Sequence, residues 1–169
     1  MTDLLIGTLT RMGGAGICYV RIQNNRMTQL WTDGSLTDPN WQTFGPNGRI
    51  FSVSNSGSAP ANGCVHELQI SSEGMKVLST QPTGGNEPCH LALSDDGRFL
   101  LAPNYGSGSL AVFPLTENGI GERIQLIQHH GSGPHPTRQT GPHLHQITRI
   151  PHMPGCFCAV DLGLDALFV

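Results

Sequence analysis

"GPNGRIFSVSNSG" (Gly45–Gly57) and "SDDGRFLLAPNYG" (Ser94–Gly106) superpose without a gap. Gly48 falls on Gly97, Arg49 on Arg98, Asn55 on Asn104 and Gly57 on Gly106, each pair 49 positions apart. A third copy, "HMPGCFCAVDLG" (His152–Gly163), aligns Asp161-Leu162-Gly163 with Asn104-Tyr105-Gly106 and sets Gly155 58 positions after Gly97. The insertion "GSGPHPTRQTGPHLHQI" (Gly131–Ile147) lengthens that interval. A fixed period of this length means a supersecondary unit repeated along the chain, each copy too small to bury its own apolar face.

The clearest unit divides into "CHLALS" (Cys89–Ser94), "RFLLAPNY" (Arg98–Tyr105), "SLAVFPL" (Ser109–Leu115) and "RIQLIQ" (Arg123–Gln128), separated by "DDG", "GSG" and "TENGIGE". Short alternating runs between glycine turns read as antiparallel strands joined by hairpins. Four such strands every 40 to 50 or so residues is the arithmetic of a β-propeller blade. Pro103 removes a ladder donor from the second strand, so a bulge or a locally unpaired amide is expected there.

Ahead of the first full unit stand "LLIGTLT" (Leu4–Thr10), "GICYVRIQ" (Gly16–Gln23) and "MTQLWT" (Met27–Thr32), which match the second, third and fourth strands of a blade. Behind the third copy's "HLHQITRI" (His143–Ile150) and "CFCAVDLG" (Cys156–Gly163) comes only "DALFV" (Asp165–Val169). The expectation is an all-β protein: residues 1–169 form one incomplete propeller of four-stranded antiparallel blades, two full and two partial.

Composition fits this reading. Only 12% of the 169 residues are charged, against about 25% in typical soluble domains, while 22 Gly and 12 Pro supply frequent turns. A formal net charge of −3 with no Lys/Arg cluster excludes a nucleic-acid partner, whose phosphates need a basic face. No apolar run approaches the roughly 20 residues that cross a bilayer, so no membrane association is expected. Met1–Leu5 lacks the basic and apolar regions of a secretion signal. The five cysteines follow neither disulfide nor zinc spacing, so free thiols and a cytoplasmic setting are expected.

"EPCHLALSDDGRFLLAPNYGSGSLAVFPL" (Glu87–Leu115), "HHGSGPHPTRQTGPHLHQI" (His129–Ile147) and "CAVDLGLD" (Cys158–Asp165), taken in order, closely resemble the lactonase family of seven-bladed β-propellers. That family includes the 6-phosphogluconolactonases and the fungal carboxymuconate cyclases. The resemblance implies a seven-bladed ring, of which this chain matches the N-terminal half. It also implies hydrolysis of 6-phosphogluconolactone in carbohydrate (pentose phosphate) metabolism, a carboxylic-ester hydrolysis, with no required metal or cofactor and a small sugar lactone as partner. Two departures stand out: "PHMPG" replaces the "DGR" turn in the last unit, and "PNW" (Pro39–Trp41) stands where the next unit has "PCH". The family's further arginine and acidic functional positions lie in a second half that has no counterpart here.

Opening a lactone requires water to attack the ring carbonyl, with a base to take the proton and a donor for the oxyanion. His143 and His145 alternate about Leu144, so they share one face of a strand while Leu144 points into packing. An unperturbed imidazole, with a pKa of about 6.5, is mostly neutral near pH 7, as a base must be. They are the candidate catalytic residues. His90 begins the preceding blade's inner strand and should converge on the same channel mouth, and Arg138 in the proline-stiffened loop offers a fork of donors for a phosphate or carboxylate. These two are the candidate substrate-binding residues.

Each has an alternative. His143 and His145 also fit as structural histidines hydrogen-bonded between blades, His90 as a packed residue, and Arg138 as a solvated loop charge. His-x-His lacks a third ligand in suggestive spacing, so no metal site is expected. His129, His130, His135 and His152 read as surface or turn residues. Asp161 and Asp165 read as turn-fixing residues, with Asp161 also placed to orient a channel histidine. A half-ring also leaves strand edges and apolar flanks open, which motivates a catalytically silent half-propeller that associates with itself or another chain. A carboxymuconate-type cyclase is the remaining possibility on the same fold.

Overall fold

The computed structural model describes all of residues 1–169. Fifteen strands form four antiparallel sheets, with two short 3-10 turns as the helical content. The first sheet runs β1 (Thr2–Gly7), β2 (Ile17–Gln23), β3 (Arg26–Asp33). The second runs β4 (Gln42–Phe44), β5 (Ile50–Ser54), β6 (Cys64–Ser71), β7 (Gly74–Pro82). The third runs β8 (Ala92–Leu93), β9 (Phe99–Asn104), β10 (Ser109–Thr116), and β10 then pairs with both β11 (Gly119–Ile120) and β12 (Gln125–Gln128). The fourth runs β13 (Leu144–Arg149), β14 (Phe157–Asp161), β15 (Ala166–Phe168). The blade count read from the repeats therefore stands: two sheets have an inner-to-outer set of strands and two have three strands each, and the ring is not closed.

Strand alternation orders the sheets. Leu100 and Ala102 on β9, with Ala111 and Phe113 on β10, pack back against Phe51, Val53 and Val65 of the second sheet. The intervening Leu101 and Leu110 point the other way and pack with Leu144, Ile147 and Ala159 of the fourth sheet. A sheet in the middle of such a stack is apolar on both faces, which is why "RFLLAP" reads as an unbroken run. Ile17, Leu36 and Leu68 close the contact between the first and second sheets. Burial of these side chains, worth about 1.5–3 kcal/mol each, supplies the main stabilisation.

The turns follow from their residues. Asn24 and Asn25, both with positive φ, make the two-residue link between β2 and β3. Gly97 (φ +67) packs so tightly on the preceding blade that a Cβ there would lie 2.5 Å from Pro46 Cγ. The corresponding turns of neighbouring blades thus abut.

The irregularity expected at Pro103 falls on one side of β9 only. Pairing of β9 with β10 runs in unbroken register through Pro103, opposite Leu110, whereas toward the inner strand the register slips by one residue between the Ala92–Leu101 and Pro88–Asn104 pairs. The carbonyls of Phe99 and Pro103 face the inner strand, accepting from the amides of Ser94 and Cys89, so the missing Pro103 donor also lies on that side and costs β10 nothing. The "TENGIGE" stretch is not wholly a turn, because Gly119 and Ile120 pair with Thr116 and Leu115 before β12 begins.

Candidate active site

Strand direction alternates, so the segments leading into β4, β8 and β13 share one end of the molecule with the hairpins that leave β1, β5, β9 and β14. Trp41, His90 and His143 stand on the former segments, and Arg11, Asn55 and Tyr105 on the latter. All the chemistry described below gathers there. A cavity of about 440 Å3, lined by Asp95, Arg149 and His152 among others, lies at the opposite end.

His143 is fixed on three sides. Its Nδ1 is 3.0 Å from the main-chain oxygen of Tyr105, its ring stacks on the Tyr105 ring with centroids 4.6 Å apart at 17°, and its amide donates to Asp161 Oδ1 at 2.8 Å. A carbonyl only accepts, so Nδ1 carries the hydrogen and the neutral ring leaves a bare Nε2 lone pair. His145 meets the same Tyr105 ring edge-on, centroids 5.3 Å apart. A bulge between Leu144 and Gln146 leaves His145 without a partner on β14, while Leu144 is fully buried as expected. The Cys89 thiol donates to the His145 carbonyl at 3.1 Å. Burial pushes that thiol up to about 12, with the Glu87 charge adding to the effect and a hydrogen bond from the Tyr105 backbone opposing it. Cys89 is therefore a protonated anchor and no nucleophile.

His90 stacks on Trp41 with centroids 4.1 Å apart. Burial, with a further push from the charge on His145, lowers its pKa to about 4, so the ring is neutral at pH 7. Its Nδ1 is buried with no partner. Trp41 on His90, and His143 and His145 on Tyr105, thus set two ring clusters along an arc of three successive blades at this end.

Arg138 is not part of this arc. Its side chain is exposed in the loop ahead of β13, beside His135, Gln139 and Leu162, and its amide donates to His135 Nδ1 at 3.1 Å. A second cation at this end is Arg11, whose NH1 is 2.9 Å from Asp38 and 3.1 Å from Glu87. Asp38 and Glu87 stand 49 positions apart, at equivalent points of successive repeats, and both adopt positive φ (51 and 53). Burial would raise the Asp38 pKa, but hydrogen bonds from the Arg11 amide, Asn55 and Thr10, together with the Arg11 charge, hold it below the usual carboxylate range. Asn55 joins the set by donating to Asp38 and accepting from the Glu87 amide.

Asp161 does the turn-fixing expected of it and more. Its Oδ1 accepts from the amides of His143, Gly163 and Leu164, and its Oδ2 is 2.7 Å from His129 Nδ1. His129 is consequently no surface residue: its side chain is 11% exposed and packs on Phe168. His66, which the repeat pattern did not single out, is buried between Ser54 Oγ at 2.7 Å and Thr80 Oγ1 at 2.9 Å. Burial lowers its pKa to about 4.

Residues 3–169 match the family described as lactonase, 7-bladed beta-propeller. A 6-phosphogluconolactonase of Bacillus subtilis is 28% identical over 166 residues, which are 96% of this chain and 47% of that protein. The structure of a periplasmic gluconolactonase of Pseudomonas aeruginosa superposes with a TM-score of 0.86 at 29% identity, covering 98% of this chain and 48% of that one. A Lactobacillus plantarum protein shares the fold, with a TM-score of 0.84 at 23% identity. The chain spans about half the length of the curated relatives it matches. No helix is long and apolar enough to cross a membrane. Four radial sheets, a histidine-lined end and a family match over nearly the whole length agree: the chain belongs to the seven-bladed β-propeller lactonase family.

Proposed function

We propose that this chain carries the reactive end of a lactone hydrolase acting on a sugar lactone of the 6-phosphogluconolactone kind. The observation that carries the reading is the bond from His143 Nδ1 to the Tyr105 carbonyl, which leaves Nε2 as a free proton acceptor. Water attacks the lactone carbonyl while His143 Nε2 takes its proton. The tetrahedral oxyanion collapses, the ring C–O bond breaks, and the imidazolium returns the proton to the departing alkoxide. His145 and His90 face the same arc and supply hydrogen-bonding nitrogens for the oxyanion or the sugar hydroxyls. Arg138, exposed and not ion-paired, is assigned to the phosphate at the rim. A cytoplasmic setting belongs to this reading and is supported by five unpaired thiols.

Lactone disappearance measured against the spontaneous rate tests the proposal. Hydrolysis that depends on the protein and falls away in His143→Ala supports it; equal rates with and without protein overturn it.

A second reading is favoured by the flanks. β1 pairs only with β2, Leu4 and Ile6 are exposed along it, and Leu167 and Phe168 are exposed on β15. Alternating apolar residues on an unpaired edge suit a neighbouring blade supplied by another polypeptide. Sedimentation tests this: a stable monomer at tens of micromolar counts against it.

A further inference from the structure

We propose that the exposed indole of Trp41, with His90 behind it, is a stacking platform for the six-membered ring of the substrate and decides which cyclic ligands the site accepts. The inference rests on the lactone-hydrolase reading for the class of ligand, and on four observations of its own.

Trp41 is 39% exposed, although it follows closely on the buried Asp38 and Pro39 at the start of an inner strand. Its position is held from the backbone, because the Trp41 carbonyl accepts from the Val53 amide at 3.1 Å and the Ser52 hydroxyl at 3.3 Å. The indole is therefore presented, and packing does not consume it. By contrast Trp31, the other tryptophan, stacks on Tyr19 and spends its Nε1 hydrogen on the Ser71 carbonyl, whereas the Trp41 Nε1–H makes no hydrogen bond within the protein. Finally, the His90 ring against Trp41 has a buried Nδ1 without a partner, an unmet requirement of the kind that a bound ligand or ordered water resolves.

A sugar lactone ring has two chemical aspects. Its axial C–H bonds form a flat apolar face, and its hydroxyls form a polar rim. An aromatic plane matches the face, and a free indole N–H beside the neutral His90 ring matches the rim. The platform stands at the same end of the molecule as the Tyr105–His143–His145 cluster of the following blades, so a ring laid on Trp41 lies on the side of the proposed base. Stacking is made equally in the ground and transition states, so it acts on KM and leaves kcat alone.

The probe is the δ-lactam of gluconic acid, a six-membered analogue whose amide is not opened by water. In a Trp31→Phe background Trp41 is the single tryptophan, and its emission should change saturably as the lactam is added. Calorimetry should show Trp41→Phe binding within about threefold of wild type, and Trp41→Ala and Trp41→Leu about tenfold weaker or worse. Trp41→Phe keeps an aromatic plane and loses the N–H, while Trp41→Leu stays apolar and loses both, so loss in Trp41→Ala and Trp41→Leu but not in Trp41→Phe, with unchanged thermal melts, locates the effect in the aromatic plane. Undiminished lactam binding in Trp41→Ala and Trp41→Leu, saturable binding without an emission change, or no lactam binding by the wild type at millimolar concentration would each overturn the proposal. Lactam binding through Trp41 without any lactone hydrolysis would remove the hydrolase reading and leave this one. Hydrolysis with KM unchanged in Trp41→Leu would do the reverse.

Discussion

The imidazole of His143 lies nearly parallel over the ring of Tyr105 and hands its Nδ1 hydrogen to the main-chain oxygen of that same residue. One residue of the neighbouring blade thus sets both the plane and the tautomer of the proposed base. His143→Ala should lower kcat for lactone hydrolysis by about 10²–10⁴-fold, the range of a lost general base, with KM within a few-fold of wild type. Steady-state kinetics across the substrate range measures both. His145→Ala should cost less, because the His145 ring touches Tyr105 only by its edge and has no bond that fixes its tautomer.

Asp161 is 1% exposed and binds four partners, three of them amides. Asp161→Ala leaves those amides and the His129 ring without their acceptor, at a cost of about 2–4 kcal/mol. For a domain of this size that is a fall in Tm of roughly 4–16 °C, read by thermal melting. Activity should fall with it, since the His143 amide is one of the three.

Acid should weaken the fold before it protonates most carboxylates. The unfolded chain takes up the His66 proton near pH 6.5, and the folded protein only near 4 because burial disfavours the charged ring. Between those values the unfolded state binds more protons, so stability rises with pH across that window and is lost as pH falls from about 6.5 to about 4. The ceiling is on the order of 3 kcal/mol for His66; half-exposed His90 adds a smaller term of the same sign. Urea midpoints measured between pH 4 and 7 should show this slope. His66→Gln, which keeps hydrogen-bonding groups between Ser54 and Thr80, should flatten it.

Two glycines near the ends of β14 separate crowding from strain. A Cβ on Gly163 would lie 2.0 Å from the Gly141 carbonyl and 2.6 Å from the His143 amide nitrogen. Gly163→Ala must therefore displace the strand that bears the proposed base, and should lose both stability and activity. Gly155 (φ +75) has nothing within 4 Å of the same added atom. Gly155→Ala should cost only about 1 kcal/mol of backbone strain and keep full activity. Melting curves and kcat on both variants distinguish the two cases.

Local patterns carried the fold. The 49-residue period rests on turn glycines and on the short apolar runs "RIFSVS" and "RFLLAP", both of which depend on near neighbours. The blade count and the convergence of His90 with the His143–His145 strand followed from that period. What stayed hidden was set by distance along the chain. Arg11 reaches Asp38 and Glu87 across blades, and no local signal marks that meeting. Tyr105 looked like one residue of a hairpin, and its contact with two imidazoles depends on the long loop before β13. His129 looked superficial because nothing nearby announces Asp161. Trp41 was visible only as a departure from "PCH", and its value as a ring partner for His90 came with the stacking of adjacent blades. Arg138 had the right chemistry, but its loop holds it among exposed residues.

The alternating direction of the strands divides the molecule into two unlike ends. The turns at Asn24–Asn25, Ser72–Glu73, Asp95–Gly97 and Pro151–Gly155 all belong to the end away from the ring arc. A tag, a linker to a solid support or an inserted peptide at Asn24–Asn25 or Ser72–Glu73 would hang clear of the histidines, and an immobilised molecule held there would offer its reactive end to the surrounding solution.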